Sequence, residues 1–228
     1  MTSQAPTRKH DRADQTRKKI LRAAVREFST HGLSGARTDA IAKSAKVNKA
    51  LLYYYFADKD RLYREVLQRF VSRLVARTMA GSEGRGDPEA RLRAFVAAQA
   101  AALAAHPDIP RLLVREMIDF DAAHAVEHIQ RLAATSFRRL CGLIEEGQRA
   151  GLFRRDLDPR FAAISTISQV AYFFIARPAV RMLLQESSRR APGDIDGAFA
   201  RHAADFAVAA LVEPGPRRRA RRVQGRTS

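Results

Sequence analysis

Thr38-Asp-Ala-Ile-Ala-Lys-Ser-Ala-Lys-Val-Asn48-Lys-Ala-Leu-Leu-Tyr-Tyr-Tyr-Phe56 decides the fold. Ile41, Ala42 and Ala45 recur at helical spacing and predict a short helix from Thr38 to about Ala45, with Thr38 as its N-cap. Lys46-Val47-Asn48 then forms a tight turn, and Asn48 caps a second helix that runs to about Phe56. Two short helices joined by such a turn form a helix-turn-helix, whose second helix lies in the major groove of DNA. Four successive aromatics, Tyr53 to Phe56, cannot all be buried on a helix that turns 100° per residue, so some must face outward. Lys49, Ala50, Leu51, Tyr53 and Tyr54 are therefore the candidate base-facing and phosphate-facing residues. Thr38, Asn48 and Lys59 stand at helix N-termini, where backbone N–H groups already favour phosphate. Val47, Leu52 and Phe56 are the expected buried pins. Tyr55 is divided between DNA contact and packing against the first helix.

Outward from this unit, helical spacing continues. Ile20, Leu21, Ala24, Val25 and Phe28 share a face, and Gly32 ends that helix. Asp58 caps a fourth helix reaching about Met79, with Leu62, Val66, Leu67 and Phe70 turned inward. Behind the Gly- and Pro-bearing stretch Gly81–Pro88, helices are predicted over 88–105, 109–120, 123–149, 159–176 and 194–212, with a shorter piece near 178–190. No strand alternation is sustained anywhere, so the fold class is all-α. Four segments follow: a disordered basic arm (1–15), a three-helix helix-turn-helix domain (16–62), a helical rear domain (63–213) and a disordered Arg-rich tail (214–228).

Charge supports this division. The 228 residues carry a net charge of +17. Residues 1–19 hold six basic and two acidic side chains, residues 20–60 seven and four, and residues 214–228 six arginines and no acid. Positive charge thus gathers at the ends and spares the middle, and a phosphate backbone or an anionic surface would attract such ends. Hydrophobic residues make up 46%, enough for a core. No run approaches a membrane span, the N-terminus lacks the apolar centre of a secretory signal, and Cys141 is the only cysteine, so no internal disulfide forms. These features suit a cytoplasmic protein without a membrane partner.

The run Thr16-Arg-Lys-Lys-Ile-Leu-Arg-Ala-Ala-Val-Arg-Glu-Phe28, then Gly32, Thr38, Ile41-Ala42, Val47 through Phe56, Asp58-Lys59-Asp60 and Leu62 resembles the tetracycline-repressor (TetR) family. The resemblance covers about residues 16–67. In the rear half it extends to the turn Gly151-Leu-Phe-Arg-Arg-Asp-Leu-Asp-Pro159. It implies a homodimer, double-stranded operator DNA as partner, a small-molecule pocket in the rear domain, and DNA release when that pocket fills. Two positions depart from the family pattern: Lys46 and Ala50 stand where glycine is common. Lys46 in a left-handed backbone costs roughly 1 kcal/mol relative to glycine.

The effector is expected to be hydrophobic, against a wall of Met117, Phe120, Phe137, Tyr172 and Phe173. The dimer is expected across the helices near 159–176 and 194–212, through Ile164, Ile167, Ala171, Phe174, Phe199, Ala203, Phe206 and Ala210. Asp121, His124 and His128 have a spacing that suits a metal, though a solvated polar face is the simpler reading. Arg115, Glu116 and Asp119 interrupt an otherwise apolar helix, either as the polar groups of a pocket or as a surface with an Arg115–Asp119 ion pair. Walker, nucleophile-elbow and zinc-protease motifs are absent, and no cofactor or enzymatic activity is expected. A ligand-responsive repressor is the leading reading. An effector-independent architectural DNA-binding protein is the alternative, and a helical enzyme or lipid-binding protein lies further off.

Overall fold

The structure, a computed structural model, describes residues 5–83, 86–121, 123–124, 127–187 and 194–212. Among them stand ten helices and no strand; the only bridge pairs Phe153 with Val212. The expected tail 214–228 lies outside the described residues.

Helix α1 (Ala5–Gly35) is longer than its hydrophobic face requires. It reaches back into residues 1–15, so the disordered arm is corrected from Ala5 onward. Pro6 sits in the first turn, where its missing N–H costs nothing, and no further Pro or Gly follows before Gly32. The Thr16 hydroxyl donates to the Arg12 carbonyl at 2.9 Å, continuing the helix on its exposed side. Gly32 kinks α1 rather than ending it, with φ at 68°, and one more turn follows in which Leu33 is buried.

Helices α2 (Thr38–Ala45) and α3 (Lys49–Phe56) match the expected spans. Thr38 is not the N-cap of α2; Arg37 occupies that place in extended backbone with no side-chain cap. Glu27 of α1 reaches across instead and accepts the Arg37 N–H at 3.0 Å. Lys46 adopts the left-handed conformation (φ 57°, ψ 45°). Its N–H donates to Lys43, and that of Val47 to Ala42, a reciprocal closure of the α2 carbonyls. Asn48 caps α3 as expected, its Oδ1 accepting from the Leu51 N–H at 2.7 Å, and Asp58 caps α4 (Lys59–Ser82) by accepting from Arg61 at 2.6 Å. Leu52 and Phe56 are fully buried and Val47 packs partly against the same core.

Helix α4 belongs to both halves. Leu62, Tyr63 and Val66 are buried near its start and Val71 and Val75 farther on, so the expected boundary at residue 62 falls inside an unbroken helix. Behind it stand α5 (Pro88–Ala104), α6 (Ile109–Phe120), α7 (Glu127–Arg149), α8 (Pro159–Ile175), α9 (Arg177–Ser187) and α10 (Ile195–Leu211). Helix α5 is the hub, packed on α4, α7, α8 and α10 through Leu92, Phe95 and Val96. Ion pairs Arg93–Asp205 and Arg177–Asp196 tie α10 to α5 and α9. The Gly151–Pro159 turn folds Phe153 into the core, while the Gln148 side chain donates to the Arg154 and Leu157 carbonyls, both at 2.8 Å. No single helix among the described residues is long and apolar enough to cross a membrane.

One glycine, and one lysine that stands where glycine would fit, give tests of opposite sign. A Cβ on Gly147 would stand 2.1 Å from the buried Phe153 ring, so Gly147→Ala should destabilise by about 1–3 kcal/mol. Lys46→Gly should stabilise by about 1 kcal/mol, because glycine adopts the left-handed turn without penalty. Thermal unfolding monitored by circular dichroism should show the midpoint falling for the first and rising by a few degrees for the second.

Candidate nucleic-acid interface

Helix α3 stands out from the front of the molecule with one face buried and one free. Tyr53 is 39% exposed and Tyr54 81%, large fractions for rings that have no structural work on that side. The hydroxyls of Tyr53 and Thr38 lie 3.3 Å apart, which places the start of α2 beside the outer face of α3. Tyr55 is half-buried, its ring against Tyr54 and Phe56, in keeping with packing. Ala50 is exposed and small, and Leu51 is half-buried. Lys49 is exposed and its ammonium sits 3.0 Å from Asp39, an exposed pair worth little in water and available for exchange with phosphate.

Two candidates are committed elsewhere. The Asn48 side chain is spent on its cap. Lys59 is half-buried, donating to the carbonyls of Ser34 and Ala36 at 3.2 and 3.3 Å, so it fastens the α1–α2 connection to α4. Arg17 adds a second fastening: it pairs with Glu65 at 2.6 Å and lies 5.4 Å from the Phe56 ring centre. These contacts hold α3 at a fixed angle to α1 and α4.

A buried polar knot joins this front unit to the rear. Tyr63 of α4 is fully buried, and its hydroxyl donates to Glu116 of α6 at 3.0 Å. Glu116 is 3% exposed and also accepts the His124 backbone N–H at 2.7 Å, with the His124 ring nitrogen 3.3 Å away. Burial and the adjacent Glu116 carboxyl push the Tyr63 phenol well above its ordinary range, so it stays a neutral donor. One residue before Glu116, Arg115 donates to the Thr30 carbonyl of α1 at 3.3 Å, close beside Gly32. A side chain at Gly32 would both strain its positive φ and press on that guanidinium. Helix α6 therefore touches the reader at two points. Sequence reading did not single out Tyr63, and it set Glu116 among surface or pocket polar groups. The signal was present: Glu116 follows Ile109 and Leu112 on the inward period of α6.

The sequence pattern of bacterial regulatory proteins of the tetR family matches residues 20–66, and that of the tetracyclin repressor-like C-terminal domain matches residues 88–196. The HTH-type transcriptional repressor NicS of Pseudomonas putida is 33% identical over 164 residues, 71% of this chain and 76% of NicS. The chain belongs to the TetR family. The HTH-type transcriptional repressor SCO4008 of Streptomyces coelicolor is a further relative, 28% identical over 75% of this chain and 84% of its own. Among solved structures, the transcriptional regulator SCO4942 of Streptomyces coelicolor superposes with a TM-score of 0.66 at 27% identity, covering 84% of this chain and 97% of that one. The ketosteroid transcriptional regulator KstR2 of Mycobacterium tuberculosis reaches a TM-score of 0.71 at 18% identity over 87% and 95%, a likeness of fold. The protein is a DNA-binding regulator of the TetR family, with the all-α reader and rear domain that this family combines.

In this TetR-family chain the five expected effector residues do not form one wall. Met117 and Tyr172 are 66% and 67% exposed. Phe173 is buried and stacks on Phe199 with ring centres 3.8 Å apart. Phe120 leans on Tyr63 and His124, and Phe137 packs partly on the core. A cavity of about 400 Å³ opens elsewhere, between α1, α4 and the α5–α6 connection, and none of the five lines it. His124 is half-buried against Glu116, which corrects its reading as part of a solvated face; the His128 side chain lies outside the described residues. No cluster of metal-binding side chains occurs among the described residues. Cys141 is buried, and burial with nearby Glu145 pushes its thiol up, as suits a structural residue.

Lys49→Ala and Tyr53→Ala should each weaken DNA binding by about 1–3 kcal/mol while leaving the thermal midpoint nearly unchanged. Asp39→Asn should tighten binding, because it frees Lys49 and removes a negative charge facing phosphate. Fluorescence anisotropy on a bound duplex measures all three, and weaker binding by the Asp39 variant would show that Asp39 itself reads DNA.

Proposed function

We propose that this chain represses transcription as a homodimer on a palindromic operator and releases it when a small hydrophobic effector binds the rear domain. The observation that carries the dimer is an uncovered apolar face. Phe161, Ile164, Tyr172 and Ile175 of α8 are between 39% and 69% exposed, and Phe206 of α10 is 60% exposed. Their spacing on α8 places them on one side, next to the outer side of α10. A contiguous patch of this kind on a water-facing surface is the signature of an interface. Two copies related by a twofold axis would close four helices over it. Phe174 and Ala203, expected on this face, are buried inside the protomer and contribute to its own core instead. Repression rests on the similarity to NicS and SCO4008, both named repressors.

In this reading residues 16–62 read DNA, and residues 63–213 join the copies and sense the effector. A twofold dimer sets two α3 helices about 34–36 Å apart, one turn of DNA. An effector that binds one spacing better than another shifts DNA affinity by that difference alone. The chain acts without a cofactor or enzymatic step, and the function places it in the cytoplasm with its DNA.

Sedimentation at micromolar concentration should show a dimer. Tyr172→Asp with Phe206→Asp should give a folded monomer whose operator affinity falls by roughly 10²–10⁴-fold, because the two half-sites are no longer linked. A monomeric parent protein, or a dimer that survives both charges, would contradict the interface.

A further inference from the structure

The cavity between α1, α4 and the α5–α6 connection has an apolar floor and a cationic rim. Leu21, Val25, Val66 and Phe70 form the floor on the reader side, and Ile109 closes it from the sensor side. Lys18, Arg22, Arg26, Arg69 and Arg73 surround it, and Asp108 is the one carboxylate among its described lining residues. Lys18 has Asp14 4.0 Å away and Arg26 donates to the Ser44 hydroxyl at 3.1 Å. Arg22, Arg69 and Arg73 have no carboxylate partner among the described residues. Three unneutralised guanidiniums around a greasy depression repel one another unless an anion enters. His106, whose ring meets Phe70 edge-on at 5.9 Å, registers the same field: burial, then Arg77 and Arg73, hold its imidazole below the ordinary value. The volume of about 400 Å³ falls within the roughly 300–1,000 Å³ of small-molecule sites.

We propose that this cleft binds an anionic amphiphile, an acid group on an apolar body, and that its occupancy sets the angle between the DNA reader and the rear domain. The acid group lies among Arg22, Arg69 and Arg73, and the apolar body covers Leu21, Val66 and Phe70. Bidentate guanidinium contacts suit a carboxylate or a phosphate ester equally. The position explains the consequence. Helices α1 and α4 carry α3, whereas His106, Pro107 and Ile109 belong to the rear domain, so a molecule seated here touches both bodies. This deepens the effector reading above and rests on it: the effector is hydrophobic in body but acidic in head, and it enters at the joint of the two domains. The ring of cations does not belong to α3 or its capping residues, so it can be altered without touching the DNA-facing side chains.

The test uses the full-length dimer and isothermal titration calorimetry with decanoate and naphthalene-2-carboxylate, against decan-1-ol and inorganic phosphate. At least one of the two carboxylates should bind saturably, and decanol and phosphate at least tenfold more weakly. Arg22→Gln with Arg73→Gln should weaken the carboxylate at least tenfold, whereas Arg181→Gln, an exposed cation on α9, should not. Both changes are at the surface, and either single variant serves if the double does not fold. Bound carboxylate should weaken DNA by the same factor by which DNA weakens the carboxylate. The proposal is overturned if neither carboxylate binds, if decanol binds equally well, or if the double variant binds like the parent. It is also overturned if the double variant loses DNA affinity while keeping the carboxylate, because the cations then serve the phosphate backbone. Carboxylate binding that depends on both arginines in a protein that binds no DNA would uphold the site and refute the regulator reading instead.

Discussion

Glu116 is the constraint around which the molecule is arranged. A carboxyl group 3% exposed has lost its water, and losing hydration without replacement hydrogen bonds costs on the order of several kcal/mol. Its replacements are three groups on two residues: the Tyr63 hydroxyl on α4, and the backbone N–H and ring of His124 just past α6. None can move far without leaving a buried polar group unmatched. Because Tyr63 also meets Phe28 of α1 edge-on at 5.0 Å, it ties the rear domain to the base of the reader, alongside the Arg115 contact to the Thr30 carbonyl. Apolar contacts slide at little cost, whereas a buried hydrogen-bonded knot has a preferred register. The proposed effector response, in which the two bodies change their relative angle and return, would call for a joint of the second kind.

Around that joint the reader is held rigid and left open. Lys59 and Arg17 fasten α4 to α1, Asn48 and Asp58 start α3 and α4 at defined residues, and Lys46 makes the turn between α2 and α3. The outer face of α3 is left to Lys49, Ala50, Tyr53 and Tyr54. Tyr54 is 81% exposed, with a ring that water solvates poorly and a groove wall would cover. Lys49 is occupied by Asp39 only through an exposed ion pair, which phosphate displaces at small cost.

Much of this was legible in the sequence, for physical reasons that differ by region. Short polar side chains at the starts of α3 and α4 gave their caps because an Asn or Asp before a helical period has one good use. Thr38 misled because the extended N-cap place falls to Arg37, whose N–H is held by Glu27 ten residues before it, and only the folded chain brings those two together. Residues 5–15 are charged without a strong apolar face, so periodicity was silent, yet nothing in them breaks a helix. Of the residues expected on the proposed dimer face, Phe174 and Ala203 are buried in the protomer, because apolar side chains are spread around α8 and α10 rather than gathered on one stripe. Phe173 and Phe174 point into the protomer while Tyr172 points out, and spacing alone does not say which side is which. Glu116 sat on the correct period, but a charged residue in an apolar run reads first as surface. The cationic cleft draws on α1, α4 and the α5–α6 connection, positions far apart in the chain, and no local pattern announces it.

The account's central claim is that the α2–α3 unit reads DNA sequence from a symmetric dimer. Selecting bound duplexes from a random pool tests it most directly. The account predicts enrichment of an inverted repeat whose half-site centres lie about 10–10.5 base pairs, or a multiple, apart, with the enrichment lost for Lys49→Ala. Binding that enriches no sequence, or a single unrepeated site, would contradict it.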